Sequence, residues 1–196
     1  MTERVPLPPA ALAQADDEVL ARLAAQRTEA FTELYRRHAL RVYRYLLSRV
    51  GDTEEAQELT AETFMAVLQS IAQFRAQSSF VTWLLGIAHH KAADHFRRRR
   101  ETISLELLGE MPQPGNSPDE ALMGKLQLEQ VRRALAALSP ERAEAIRLHV
   151  FAGLSISESA HVMHKNEAAV RMLIYRALCD LRARLAPAPE VEHESS

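Results

Sequence analysis

Four consecutive arginines, Arg97–Arg100, close the stretch FRAQSSFVTWLLGIAHHKAADHFRRRR, which runs from Phe74 to Arg100. As a purely solvated surface, such a run repels itself, and contact with phosphates removes that repulsion. The aromatic start of the same stretch suggests a second chemistry, because aromatic faces stack unpaired bases. At 100° per residue Phe80, Trp83, Leu84 and Ile87 share one helical face, and Trp83, His90 and Arg97 line one edge of it. Two readings of Trp83 stay open: a core residue at helical spacing, or a stacking plate. His89 and His90 read as surface polar groups, with Asp94 one turn beyond His90. The polar turn Arg75, Gln77, Ser78, Ser79 precedes the helix.

A second constellation is acidic. Glu55, Glu58, Glu62, Met65, Gln69 and Gln73 recur at helical spacing, while Leu59, Phe64, Val67, Leu68, Ile71 and Phe74 fill the other faces. The stripe is either a solvated face or a docking surface for a basic protein. Met65 at its centre suits docking. A third constellation lies near the C-terminus: helix, a short turn at His164, Lys165 and Asn166, then helix. That size fits a helix-turn-helix, whose second helix enters the major groove. Val170, Ile174, Ala177, Leu178, Leu181 and Leu185 form the apolar stripe of the second helix. Glu167, Ala168, Arg171, Met172, Tyr175 and Arg176 are left to face outward, with Arg171 and Arg176 able to reach guanine edges or phosphates.

Other chemistry is thin. His161 and His164, at i and i+3, are not read as a metal set. Cys179, beside Leu178 and Leu181, reads as packed and inert. No glycine-rich phosphate loop or nucleophile elbow is present. The expectation is a protein that is not an enzyme and needs no cofactor or metal.

These groups must be positioned by helices. The 196 residues suffice for one domain or two small ones. A net charge of −2 gives no global attraction to nucleic acid, so its distribution matters. Acids crowd Gly51–Phe64 and bases crowd His89–Arg100, which suggests one basic and one acidic partner. A single cysteine rules out an intrachain disulfide and fits a reducing, cytoplasmic setting, and no run of about twenty apolar residues offers a membrane span.

Patterning predicts a loose segment over 1–15, then helices at Glu18–Gln26 (with Asp16 or Asp17 as cap), Thr28–Val50, Thr53–Phe74 and from Ser78 or Ser79 to about Arg99. Gly51 and Asp52 separate the second and third. Residues 101–118 are rich in Pro and Gly and read as a linker, with Ser104–Leu108 as a short sticky segment. Helical pattern resumes from Asp119 to Leu138. Ser139 and Pro140 restart it up to Gly153, Ser155 starts a helix to Met163, and the last runs Glu167–Leu185. The fold class is therefore all-α: two small helical domains, 16–100 and 119–186, joined by a flexible linker, with a disordered tail over 187–196.

Taken together, the pieces resemble the extracytoplasmic-function (ECF) sigma factors of bacteria, the smallest members of the housekeeping-type sigma family. The resemblance covers roughly Phe31–Leu185. AQELTAETFMAV resembles the core-polymerase-binding helix of region 2, and the stretch from Phe74 to Arg100 resembles its promoter-melting segment. LSPERAEAIRLHVFAGLSISESAHVMHKNEAAVRMLIYRAL resembles the region 4 helix-turn-helix that reads the −35 element. The chain departs from the family pattern at Ala61, His89, His90, His164 and Leu173.

The resemblance implies a factor that binds core RNA polymerase, recognises −35 and −10 elements and initiates transcription of a stress- or signal-responsive regulon. Glu55, Glu58, Glu62, Met65 and Gln69 would meet a coiled coil of the largest polymerase subunit, and the flap region of the polymerase would be a further contact. Arg75, Gln77, Ser78, Ser79, Phe80, His90 and Arg97–Arg100 would serve the −10 region. Lys165, Asn166, Glu167, Ala168, Arg171, Met172, Tyr175 and Arg176 would serve the −35 element. It further implies an anti-sigma partner, no membrane insertion, and association with the nucleoid when in holoenzyme. Two rivals stand beside it: a stand-alone helix-turn-helix regulator, and a helical adaptor that binds no DNA.

Overall fold

The computed structural model describes residues 9–105 and 130–185. Every element among them is helical. Helix α1 spans Pro9–Gln14, α2 Asp17–Ala24, α3 Thr28–Val50, α4 Thr53–Ser70 and α5 Phe80–Leu105. Helix α6 covers 130–136, α7 Pro140–Ile146, α8 Ile156–Val162 and α9 Glu167–Leu185. Short turns between α2, α3, α4 and α5 fold the first unit into a bundle. Gly51 ends α3 in the left-handed region (φ 78°), where a side chain is strained, and its N–H donates to Leu47 O at 2.9 Å. The very next residue, Asp52, starts α4 by accepting from the N–H groups of Glu54 and Glu55, both at 2.9 Å.

The core of this unit is the apolar stripe of each helix turned inward: Leu20, Leu34, Val42, Tyr45, Leu46, Val67, Leu84 and Leu85 are all sealed from solvent. Phe74, Phe80 and Trp83 pack ring to ring with centroids 5.2–5.9 Å apart, and His38 closes on Phe80 at 5.6 Å. The second unit has its own core of Leu135, Leu138, Ile146, Ala160, Val170, Ile174 and Ala177. Helix α7 widens into a π-turn, Arg147–Phe151, where Ala152 N–H reaches back to Arg147 O at 3.0 Å. Ser155 and Glu158 form a capping box on α8, and His164 (φ 52°) makes the turn into α9.

The two units are packed on one another. Leu148, Ala152, Leu154 and Val162 of the second unit are buried in the core of the first. Arg147 Nε donates to Ser48 O at 3.0 Å, and Arg132 Nη1 to Gly51 O at 3.0 Å.

Several expectations change. The segment 1–15 contains α1, held by Leu12 in the core and by Arg37, which donates to the carbonyls of Leu12, Ala13 and Ala15 at 2.8–3.0 Å. Helix α2 begins at Asp17, and Asp16 sits at its N-cap without a side-chain bond. Asp17 instead faces Arg37 (2.8 Å) and His38 (2.7 Å). Helix α4 stops at Ser70 and tightens into a 3₁₀ turn, Ile71–Gln73, because Phe74 must turn inward to meet Phe80 and Trp83. Helix α5 runs on to Leu105, so the linker does not begin at 101. The rest of the expected linker (106–118), the stretch 119–129, the first residues 1–8 and the tail 187–196 lie outside the described residues. Ser139 lies at the N-cap of α7 but makes no capping bond, leaving Pro140 to start the helix.

Candidate nucleic-acid and polymerase interfaces

The acidic and basic runs face each other across α4 and α5. Glu55 Oε1 accepts from Arg99 Nη1 at 2.9 Å, Glu55 Oε2 lies 3.3 Å from His95 Nε2, and Glu62 Oε2 meets Lys91 Nζ at 3.3 Å. In the free chain part of each run thus also neutralises the other. The reason is registry, since α4 and α5 pack side by side and place these residues on facing edges. Glu58 stays fully outward, as do Met65 (58% exposed) and Gln69. Leu68, expected inside, is instead half exposed beside them. Next to this face, Tyr35, Ala39, Leu40 and Tyr43 of α3 and Gln57, Thr60 and Ala61 of α4 line a shallow groove of about 410 Å³. Sequence patterning did not single out this groove, which needs α3 and α4 side by side to form.

The residues named for the −10 region separate. Phe80 is fully buried under Phe74, Trp83 and His38, so it is a core residue and cannot touch a base. Trp83 is half buried in the same cluster. Arg75, Ala76 and Gln77 are exposed in the loop, with Ala76 at φ 53°. Ser78 and Ser79 are half buried, and Ser79 Oγ bonds Thr82 Oγ1 at 2.8 Å, which starts α5. His90 points outward with its ring edge-on to His89. Arg97 pairs with Asp94 at 3.0 Å yet remains largely exposed, Arg98 is exposed, and Arg99 is held by Glu55. The side chain of Arg100 lies outside the described residues.

The residues named for the −35 element lie around the start of α9. Glu167, Ala168, Arg171, Met172, Tyr175 (64% exposed) and Arg176 form one outward surface at the start of α9. Asn166 caps the helix, its Oδ1 accepting from Ala169 N–H at 2.7 Å. Lys165 is tied to Glu141 at 2.7 Å. Leu178, Leu185 and Cys179 are corrected: all three are exposed, because the short partners α7 and α8 cover only the inner side of α9.

A polar cluster at the junction of the units is the main feature missed from sequence. Glu144, buried on α7, accepts from the Tyr45 hydroxyl and from Arg49 Nη1 at 2.8 Å, and lies 2.8 Å from His89 Nδ1. Burial works to raise its carboxyl. The His89 contact, the Arg49 charge and the Tyr45 hydroxyl outweigh that and hold it below the ordinary carboxylate value. Burial and the Glu144 charge push the Tyr45 hydroxyl well up, so it stays a donor. Glu158 is also held low: burial opposes, but the Ser155 N–H and the hydroxyls of Ser155, Ser79 and Thr82 prevail. An acid inside the apolar run Ala143, Ala145, Ile146 was the readable signal for Glu144, and Ser155 three residues before Glu158 was that for the capping box.

Comparison with known proteins decides the family. The model for sigma-70 region 2 matches residues 34–102, and that for sigma-70 region 4 matches 128–181. The ECF RNA polymerase sigma factor SigC of Mycobacterium tuberculosis is 32% identical over 179 residues, covering 88% of this chain and 94% of SigC. The chain belongs to the ECF sigma factors. Sigma factors bind core RNA polymerase and direct initiation at promoters, and this chain is one of them. The ECF sigma factor BldN of Streptomyces coelicolor is 37% identical over 174 residues, covering 87% of this sigma factor, which spans 65% of BldN's length. Among solved structures, CnrH in complex with the cytosolic domain of CnrY aligns with a TM-score of 0.68 and 25% identity over 85% of this chain and 95% of CnrH. No described helix of this sigma factor is long and apolar enough to cross a membrane.

Proposed function

We propose that this ECF sigma factor, a non-catalytic initiation subunit working in the cytoplasm and at the nucleoid, divides its task between two units. Residues 16–100, extended by the end of α5, dock on core polymerase and open the −10 element. Residues 119–186 read the −35 element. The observation that carries the reading is the outward surface of α9, where Arg171, Met172, Tyr175 and Arg176 stand exposed on a helix braced by a helix-turn-helix. Glu167, Ala168, Lys165 and Asn166 flank it. A second support is the uncovered face of α4, with Glu58, Met65 and Gln69 for the polymerase coiled coil. Glu55 and Glu62 join that contact once released from Arg99 and Lys91.

In the −10 region the loop Arg75, Gln77, Ser78, Ser79 takes a flipped base, and His90, Arg97, Arg98 and Arg100 approach the strand. Unstacking costs about 1.4 kcal/mol per base-pair step, and pocketing a flipped base returns about 1–3 kcal/mol. One or two captured bases thus suffice for a short bubble, which makes promoter choice demanding. An anti-sigma partner is part of the proposal, supported by the structure of CnrH in complex with the cytosolic domain of CnrY. The test is in vitro transcription on genomic templates with core polymerase and this protein. Promoter-specific start sites are expected. Duplex binding without new start sites would favour a stand-alone regulator instead.

A further inference from the structure

The second unit is docked so that α8 reaches the start of α5. Glu158 Oε1 accepts from Ser79 Oγ at 2.9 Å and from Thr82 Oγ1 at 3.2 Å. Its other oxygen accepts from Ser155 N–H at 3.0 Å, while Ser155 Oγ accepts from Glu158 N–H at 3.1 Å. The carboxylate is thus fixed by its own capping box and aimed at the hydroxyls beside the loop Arg75–Ser79. It engages the Ser79 and Thr82 hydroxyls, while Arg75 and Gln77 stay exposed, and places a negative charge where a nucleotide with its phosphate would come. The dock is continuous: Leu148, Ala152, Leu154 and Val162 are buried against the first unit, and Glu144 bridges to Tyr45, Arg49 and His89. None of these contacts touches the outward face of α9, where Tyr175 is 64% and Met172 47% exposed.

We propose that the free chain rests in a self-closed state in which α8 covers the Ser79 end of the base-capturing loop while the α9 surface stays open. Duplex −35 DNA can then be engaged before opening, and a flipped base only after α8 has moved away. The inference rests on the reading of residues 75–79 as the base-capturing loop. Wrong strands and chance single-stranded nucleic acid are excluded from the loop until the units part.

Two measurements on the full chain test it, both after Cys179→Ser removes its one thiol. In the first, Ala25→Cys and Ala183→Cys, both exposed, carry spin labels for a distance measurement. One narrow distance is expected, and a broad set once Glu144→Gln and Glu158→Gln are added, with helicity by circular dichroism retained. A broad distribution without those two changes overturns the closed state.

In the second, Ser48→Cys and Arg147→Cys are joined by a short disulfide-containing linker, clear of the loop and of α9. The joined protein is expected to lose at least about tenfold in promoter-specific initiation, while its affinity for duplex promoter DNA changes by less than about twofold, as expected if linking only fixes which state is populated. Reduction restores initiation. Equal initiation before and after reduction overturns the proposal, as does an equal loss of duplex binding. If the reduced protein also fails to initiate, the reading as an initiating subunit falls instead, and the distance measurement still decides closure.

Discussion

Replacing Glu144 by Gln keeps the volume and removes the charge at the centre of the junction. In the folded chain Glu144 answers one cation, Arg49, and one buried hydroxyl, Tyr45, both from α3, as well as His89 from α5. Breaking a buried pair by removing one partner costs about 3–5 kcal/mol. Arg49 and Arg147 border an open cleft next to Phe96 and Pro140, which lets water reach the orphaned guanidinium. The lower end, about 3 kcal/mol, is therefore expected. With a urea slope of about 2 kcal/mol/M, that is a midpoint shift of about 1.5 M.

Because the contact joins the units, its loss should also uncouple them. Trp83, the single tryptophan, reports only the first unit by fluorescence, and far-ultraviolet circular dichroism reports both. The two probes should coincide in the parent protein and separate in Glu144→Gln. Adding Arg49→Met should recover part of the loss, since removing both charges leaves none unpaired. Coincident curves with a midpoint within about 0.2 M of the parent would refute the reasoning that this cluster clamps the units.

Acid should open the same junction. Glu144 and Glu158 are both held below their ordinary value of 4.5 in the folded chain. The stability they contribute is complete above that value and is lost as pH falls through their lowered values, so the spin-label distance should broaden only below about pH 4.5. Gly51→Ala should destabilise by about 1 kcal/mol or more, measured by thermal melting. The position has φ 78°, and a Cβ there would sit 3.1 Å from Arg132 Nη1. Arg97→Ala, Arg98→Ala and Arg99→Ala should each lower the salt slope of promoter binding by about 1, and an unchanged slope would reject the phosphate contact. Glu58→Lys should abolish co-purification with core polymerase, and normal recovery would reject the α4 face.

Much of this was legible in the chain because helices are written locally. Gly51 followed by Asp52 marks the end of one helix and the start of the next, and both do what their types predict. The α9 surface followed from a 3.6-residue repeat. What could not be read was which helix face meets which neighbour. Phe80 looked like a stacking ring because its periodicity fits either role, and only the partners Phe74 and His38 make it core. Leu178 looked buried because the repeat continues past the point where α7 and α8 end. The pairing of Glu55 with Arg99 spans 44 residues, and that of Tyr45 with Glu144 spans 99. Such contacts arise from packing, and no local pattern encodes them.

Arg37 has a consequence for the order in which the chain opens. Helix α1 has only six residues, too few to persist alone in water. The carbonyls of Leu12 and Ala13 in α1, and of Ala15 just beyond it, accept from one guanidinium, which Asp17 and Glu33 hold in place. Glu33 stays ionised down to about 2, because the Arg36 and Arg37 hydrogen bonds favour its charged form. The N-terminal turn is thus fastened by this guanidinium and by Leu12 in the core. In hydrogen exchange it should peel away as one unit, with α3 still protected, and its rate should rise in Arg37→Ala as well as in Leu12→Ala.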